Sequence, residues 1–428
     1  MGTGRKRITG KTQNSPMTES ADRARPGGLH RQSLLIIFLT RTGLNTAHRI
    51  IYPFLPTIAR GLGISLQAAS SLVALRVVAG MTAPVLGPVG DRYGRRRTME
   101  MGLLAFILAS LLLASMGTVA AAAIAFILYG LSKVLYDPAV HAYLGDTVPY
   151  QERGRAVGIV EFSWSTAWLV GVPVSGLLME RLGWRAPWAL LVLVGLLGAW
   201  LTHRYLPPAK PPAPSRPGPA GTPLQAAARS AGTLITTWRS LLRRRQVVVL
   251  LLTSFLLVLA NEVPFIVYGA WLETTFGLSL STLGLASIVV GLAEATAEFG
   301  TTVFTDRLGK RRSVLLGLVG LAASLGLLPW LTQLGLAPAL AGIVLMLLTF
   351  EFAIVSLIPL ATELAPEARA SLLSLNTTAL SLGRILGAVL GGWLWHWQNI
   401  AVHSAVGACC ALAAALLLAW GLVEIEGQ

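Results

Sequence analysis

Charge is what this chain has least of. Lys, Arg, Asp and Glu make up 12% of its 428 residues, where a soluble globular domain carries roughly 25%. So few charges cannot cover a water-exposed surface, which excludes an ordinary soluble enzyme and a disordered protein. Acid is scarcer than base, with 19 Asp and Glu against 34 Lys and Arg. Cysteine is nearly absent: the two that occur, Cys409 and Cys410, are adjacent in an apolar run, a spacing that fits neither a metal site nor a disulfide framework. No G-x-x-x-x-G-K-[ST] phosphate loop and no G-x-S-x-G nucleophile elbow occurs. His48 and His141 stand on separate segments without a Cys or a His-x-x-Glu spacing, so no metal and no other cofactor is expected. The long polar stretch before the first apolar run lacks a small-residue cleavage site, and a cleaved signal peptide is not expected.

What the chain has is apolar length. The hydrophobic set supplies 54% of residues and the mean hydropathy is +0.66. A helix crossing about 30 Å of hydrocarbon needs roughly 20 residues, and the sequence offers twelve such stretches. The first six are Ser33 to Ile58, Leu66 to Val89, Thr98 to Met116, Val119 to Leu144, Arg155 to Met179 and Trp184 to Tyr205. The second six are Val247 to Thr274, Ser281 to Phe304, Ser313 to Leu331, Ala337 to Leu360, Ser371 to Trp395 and Ile400 to Leu422. The fold class expected is therefore an all-α membrane protein, and the net charge of +15 is a topology signal that excludes no-membrane readings such as nucleic-acid binding. Most Lys and Arg fall in the N-terminal tail, in alternate loops and in the middle segment, while the opposite loops hold Arg60, Arg181 and Arg185. The positive-inside rule then puts both termini in the cytoplasm. Four regions follow: a polar tail at 1–32, a six-helix bundle at 33–206, a linker at 207–246 and a second bundle at 247–428. The linker opens Pro-rich, as PPAKPPAPSRPGPAGTP, and closes on WRSLLRRRQ. The first part is a solvated spacer; the second suits either a basic amphipathic helix on the membrane surface or more linker.

The halves repeat each other. Asp91-Arg92-Tyr93-Gly94-Arg95-Arg96-Arg97 recurs as Asp306-Arg307-Leu308-Gly309-Lys310-Arg311-Arg312, and Gly63-Ile64-Ser65-Leu66 recurs as Gly277-Leu278-Ser279-Leu280, at nearly one offset. Arg155-Ala156 with Arg369-Ala370, and Gly176 with Gly391, keep the same register. One six-helix unit has been duplicated. With Gly87-Pro-Val-Gly-Asp91-Arg92-Tyr-Gly94-Arg95-Arg96-Arg97 between the second and third spans, the chain resembles the major facilitator superfamily of secondary transporters over nearly its whole length after the tail. That resemblance implies two pseudo-symmetric six-helix bundles and a cytoplasmic latch in this loop. Gly87, Asp91, Arg92, Gly94 and Arg95 are its candidates, Asp146 and Arg153 their partners, and Asp306 and Arg307 a second copy. The second copy has Thr302 in place of the leading Gly. Two exporter motifs are partial: Phe126 stands where an Arg would precede Gly130, with Lys133 lower on the same helix, and Gly171-Val172-Pro173-Val174-Ser175-Gly176 matches the helix-five element loosely.

Ionisable groups inside spans carry the remaining signal. Arg41, Arg49, Arg76, Lys133, Asp137, Glu161, Glu262, Glu294, Glu298, Glu351 and Arg384 would each cost roughly 2.5 to 3.5 kcal/mol against lipid, on the order of 30 kcal/mol together. They are expected to face protein or a watery cavity. Arg41, Asn45, His48, Arg49 and Tyr52 form one helical stripe, and Tyr129, Lys133, Asp137 and His141 another, while Asn261, Glu262 and Glu351 sit near mid-depth. In the resembling family the helices bearing these residues line a central cavity, so Arg41, Asn45, His48, Arg49, Tyr52, Tyr129, Lys133, Asp137, Asn261, Glu262 and Glu351 are its candidates. Lys133 and Asp137, four apart, either pair structurally or act in a proton relay. Arg76, Glu161, Glu294, Glu298 and Arg384 fall on helices that in the family line the seam between bundles, where bridges would make and break. Trp164 and Trp168 either pack or stack a ligand, and Trp393, Trp395 and Trp397 are interfacial anchors.

The function expected is gradient-driven secondary transport of a small organic solute without enzymatic chemistry. Proton-coupled export of drug-like compounds or metabolites ranks first, and carriage of an organic anion second, since acids in the cavity suit a cation and bases an anion. A scaffold or sensor would need ligand clusters or a folded extramembrane domain, and neither is evident. Protons and the bilayer are the expected partners, a monomer in a bacterial inner membrane the expected form.

Overall fold

The computed structural model describes residues 2, 26–82, 86, 93–207 and 236–422; the side chains of 26–30, 298–299, 301–307 and 370 fall outside that description. Among the described residues there is no strand. The helices are α1 (Pro26–Arg49), α2 (Ile51–Leu62), α3 (Leu66–Gly80), α4 (Arg95–Ser115), α5 (Val119–Thr147) and α6 (Tyr150–Glu161). A short turn at Ser163–Thr166 and a π-helical stretch at Ala167–Gly171 lead to α7 (Val172–Leu182) and α8 (Ala186–Tyr205). After the linker come α9 (Arg245–Phe265), α10 (Tyr268–Phe276), α11 (Leu280–Leu308), α12 (Lys310–Gln333), α13 (Leu336–Leu364), α14 (Arg369–Leu394) and α15 (Ile400–Gly421). The basic run before α9 is helical over residues 236–242, with Leu241 buried and Arg239 exposed. It is tied down by Arg244, whose Nη1 lies 2.5 Å from Glu367 Oε1. A backbone N–H and that guanidinium hold the Glu367 carboxyl below the usual carboxylate range.

Among the described residues, ten helices are long and apolar enough to cross a membrane, or eleven if α2 and α3, bent by 118° at Gly63, are taken as one span. Twelve were expected. The first expected span carries Arg41 and Arg49 within its apolar length, and the second is described only as far as residue 82. The outer walls are apolar. Leu104, Leu108 and Leu111 on α4 are exposed along one face, while Leu103, Phe106 and Leu113 are fully buried. Exposed leucine on that scale makes hydrocarbon the natural solvent of this surface.

Prolines explain where the spans bend. Pro53 has no N–H to give the carbonyl of Arg49, so the helix breaks at Ile50 between α1 and α2. Pro264, inside the last turn of α9, likewise forgoes a bond to the Ala260 carbonyl just before the junction with α10. The sequence repeat has a backbone cause as well. Gly63 and Gly277 end their helices at φ 67° and φ 66°, left-handed positions where a Cβ would be strained. Gly94 and Gly309 open α4 and α12 at φ 86° and ψ 151°, and φ 85° and ψ 141°.

The halves meet away from the termini. α7 packs on α11, and α3 on α14. A Cβ on Gly284 would lie 3.1 Å from Pro173 Cα, and one on Gly392 2.7 Å from Ser70 Cβ. Glu180 Oε2 at the end of α7 accepts the Ser281 N–H of α11 at 2.6 Å, capping a helix of the other half. Hydrogen bonds and ion pairs join the halves at mid-depth and at this far end. Arg60 and Glu273 pair there at 2.8 Å, but with side chains 58% and 26% exposed. Arg60→Ala is therefore expected to lower thermal stability of the purified chain by less than about 1 kcal/mol.

Candidate functional site

A cavity of about 450 Å³ lies at mid-depth between the halves. Its polar wall comes from eight helices. The kinked junction of α1 and α2 supplies His48, Arg49 and Tyr52; α3 supplies Arg76 and α5 supplies Lys133. The second half contributes Asn261 and Glu262 from α9, Glu294 from α11, Glu351 from α13 and Arg384 from α14. Trp164, Phe265 and Phe350 give apolar surface. Each cavity helix keeps its polar groups on one side because they recur every three or four residues. The cost of burial is then offset by pairing inside the protein.

Two contacts in the cavity cross between the halves. Arg49 Nη2 donates to Glu294 Oε2 at 2.7 Å. Tyr52 Oη donates to Glu262 Oε1 at 3.1 Å. The other Glu262 oxygen, within the second half, lies 3.6 Å from Arg384 Nε, an ion pair longer than a hydrogen bond. Glu262 and Glu294 are both buried, at 3% and 5% exposure. Arg76, also buried, donates to the His48 carbonyl at 3.1 Å and lies over the Tyr52 ring. Two buried polar atoms on this wall, Arg49 Nε and Asn261 Oδ1, have no hydrogen-bond partner among the described residues.

A second network stands behind the cavity wall in the first half. Arg41 Nε lies 3.2 Å from Asp137 Oδ1, and its Nη1 lies 2.9 Å from Glu161 Oε1 and 3.0 Å from the Val160 carbonyl. Lys133 Nζ bonds Asp137 Oδ2 at 2.8 Å and Asn45 Oδ1 at 2.6 Å. Asn45 Nδ2 in turn donates to Ser163 Oγ at 2.9 Å. Trp164 covers the cations from one side, with Lys133 Nζ 3.9 Å and Arg49 Cζ 4.7 Å from its ring centre. Arg49 also lies 5.0 Å over Trp168. Such stacking holds a guanidinium without neutralising it.

Several sequence candidates take other positions. Arg41, Asn45 and Asp137 sit in the second network and do not line the cavity. Tyr129 is fully buried and turned away, bonded to Ser110 Oγ at 3.0 Å and packed on Phe106 and Trp188. Its stripe-mates face the other way because a helix stripe spans a wide arc. Glu161 was expected at the seam between bundles, but its partners Arg41 and His141 belong to its own half. The helix break at Phe162 turns this carboxylate inward. Trp395 is buried against His403, whereas Trp393 and Trp397 are about half exposed, as anchors would be.

In the loop between the second and third spans, Gly87, Asp91 and Arg92 lie outside the described residues, as do the side chains of Glu298, Asp306 and Arg307. Arg95 Nε lies 3.3 Å from Asp146 Oδ2, joining α4 to the end of α5. Arg153 donates instead to the Val148 carbonyl at 2.9 Å. In the second half Lys310 pairs with Glu363 at the position corresponding to Arg95 and Asp146. The sequence reasoning passed over Ser163, Glu180 and Glu273. The first had a signal, a Ser- and Trp-rich EFSWSTAW stretch inside an apolar span. Among the described residues no group of three His, Cys, Asp or Glu is placed to hold a metal ion.

The sequence profile of the Major Facilitator Superfamily matches residues 34–266 and 250–426. The uncharacterized MFS-type transporter YceJ of Bacillus subtilis (strain 168) is 23% identical over 349 residues, 81% of this chain and 85% of that protein. The class C tetracycline resistance protein of Escherichia coli is 26% identical over 311 residues, 70% of this chain and 74% of that protein. The crystal structure of a D-xylose-proton symporter superposes with a TM-score of 0.73 at 18% identity, covering 93% of this chain and 99% of that one. At that identity the superposition speaks for the fold alone.

Proposed function

Because the chain belongs to the Major Facilitator Superfamily, we propose that it exports a small organic solute, a drug-like compound or a metabolite, in exchange for protons. The carrying observation is the pair of buried carboxylates held by the opposite half: Glu294 by Arg49, and Glu262 by Tyr52. Rocking the halves to expose the cavity on its other side separates these groups. Glu294, left without Arg49 in a dry cavity, is neutralised most cheaply by a proton, and Glu262, without the Tyr52 hydroxyl, keeps only the 3.6 Å contact with Arg384. Proton uptake and a change of access are thereby linked through the same atoms. The network of Arg41, Lys133, Asp137, Glu161 and His141 gives a polar route from the cavity wall toward the half-exposed His141. Export rather than uptake follows the tetracycline resistance relative.

The solute meets both signs of charge. Arg49 Nε offers a donor and Asn261 Oδ1 an acceptor, and Trp164, Phe265 and Phe350 offer apolar contact. A second reading, carriage of an organic anion, is favoured by Arg76, which has no carboxylate at ion-pair distance among the described residues. Under either reading the chain works as a monomer in a bacterial inner membrane with both termini cytoplasmic. Gly94, Arg95 and Asp146, together with Gly87, Asp91, Arg92 and Arg153, belong to a latch on the cytoplasmic side, with Asp306 and Arg307 its second copy.

The test is accumulation of fluorescent cations, anions and neutral dyes in cells lacking their own pumps. Expression is expected to lower accumulation of at least one dye several-fold. A protonophore and Glu262→Gln should each restore accumulation to that of control cells. Export that survives the protonophore would overturn proton coupling, and a response confined to anions would select the second reading.

A further inference from the structure

The outer wall of the first half holds a cleft that the transport reading does not use. Arg41 pins the end of α6 to α1 through the Val160 carbonyl and Glu161. Between that clasp and the N-terminal end of both helices, a cleft of about 640 Å³ runs along their outer side. Leu34, Leu35 and Phe38 of α1 form one wall, and Gly158, Ile159 and Phe162 form the other. Its mouth is set by two arginines, Arg31 and Arg155.

The two ends of this cleft ask for different chemistry. Leu35, Ile159 and Phe162 are 56%, 40% and 53% exposed, on the surface whose solvent is hydrocarbon. Arg31 and Arg155 are exposed and stand where the apolar spans of α1 and α6 begin, at the depth of lipid headgroups. Neither makes an ion pair among the described residues, and no carboxylate lines the cleft. Two guanidiniums on one cleft repel each other, and an anion between them relieves that repulsion. Arginine's fork of N–H donors suits phosphate oxygens, which accept two parallel bonds. A carbon chain is needed to fill the rest, because the walls below offer no polar side chain. Gly158 leaves room for it: a Cβ built there would meet nothing within 4 Å.

We propose that this cleft is a binding site for an anionic phospholipid, with its phosphate between Arg31 and Arg155 and an acyl chain along Leu35, Phe38, Ile159 and Phe162. A zwitterionic lipid brings its own cation and gains less from the arginine pair. A free phosphate gains nothing from the walls. The site is independent of the cavity, which opens between the halves and shares none of these residues.

The experiment uses the full-length chain in nanodiscs carrying a photoactivatable phosphatidylglycerol, or phosphatidylcholine with the same chains, and maps labelled peptides. Phosphatidylglycerol is expected to label residues 31–38 and 155–162 roughly thirtyfold more than phosphatidylcholine, the factor that corresponds to about 1 kcal/mol of surface attraction for each of the two arginines. Arg31→Ala with Arg155→Ala should bring the two lipids level. Gly158→Phe, which fills the cleft without disturbing either charge, should abolish labelling of both segments. Circular dichroism and thermal melting confirm that these surface variants remain folded. Equal labelling by the two lipids in the unaltered chain would overturn the proposal, as would phosphatidylglycerol labelling that survives both sets of substitutions. Competition by inorganic phosphate at concentrations matching the lipid would assign the arginines to a free anion and overturn the lipid assignment.

Discussion

Arg49→Met is expected to lower the stability of the purified chain by about 3–5 kcal/mol, and adding Glu294→Gln is expected to restore most of that loss without restoring transport. The single change leaves Glu294, 5% exposed, as a buried carboxylate without its cation. The reverse single change is milder. With Glu294→Gln, Arg49 keeps the ring faces of Trp164 at 4.7 Å and Trp168 at 5.0 Å, and its side chain remains 18% exposed to the cavity. The guanidinium therefore has somewhere to go. In the double variant the buried site holds no charge, and the folding penalty falls away.

Transport responds differently if the pair is part of the coupling. Glu294→Gln cannot carry a proton between access states, so proton-driven flux in liposomes should fall by at least a hundredfold, roughly 2.7 kcal/mol. Exchange of labelled for unlabelled solute should survive in that variant, because it needs the cavity to turn over but no net proton movement. Thermal melts and the two flux assays, run on the four proteins of the cycle, separate the roles. A double variant that regains both stability and driven flux would make the Arg49 and Glu294 pair a structural clasp.

The placement of these two residues shows what the sequence could convey. Their presence inside spans was legible, because an Arg or Glu in an apolar run of twenty residues has nowhere to go but inward. Their partnership was not. Arg49 and Glu294 are 245 positions apart, and a helical stripe gives a direction without a distance. Tyr129 illustrates the same limit: it shares a stripe with Lys133, yet it packs against Trp188 in the interior of the first half and does not line the cavity. Glu161 went to its own half because the span breaks at Phe162, and nothing in the residue types there marks a break as Pro53 does for α2. The duplicated loops were the most legible feature, since Gly63, Gly94, Gly277 and Gly309 hold backbone angles that few other residues accept. Sequence patterns carry backbone constraints and lipid exclusion well, and contacts between distant helices poorly.

Those distant contacts also determine which side of the cavity is sealed. Gly269→Val should unseal the far end and shift the population toward the state open there. Gly269 of α10 faces the backbone of Pro53 in α2, in the other half; an added Cβ would lie 2.6 Å from the Pro53 carbonyl carbon and 2.7 Å from its Cα. A flexible side chain swings aside, whereas backbone fixed by a proline ring cannot. Overpacking of this kind costs about 1–3 kcal/mol, and here the strain is present only while the halves touch. The cost therefore falls on one access state, a shift of roughly 5- to 150-fold in the equilibrium between them. Spin labels at Leu182 and Leu334, both exposed at the far end of opposite halves, would report it as a longer distance by double electron–electron resonance. Gly326→Val is the control, since a Cβ there meets nothing within 4 Å and the same distance distribution as the unaltered chain is expected. An unchanged distribution with Gly269→Val would mean that α2 and α10 do not part during transport, and the far seal would have to open along α7 with α11 and α3 with α14.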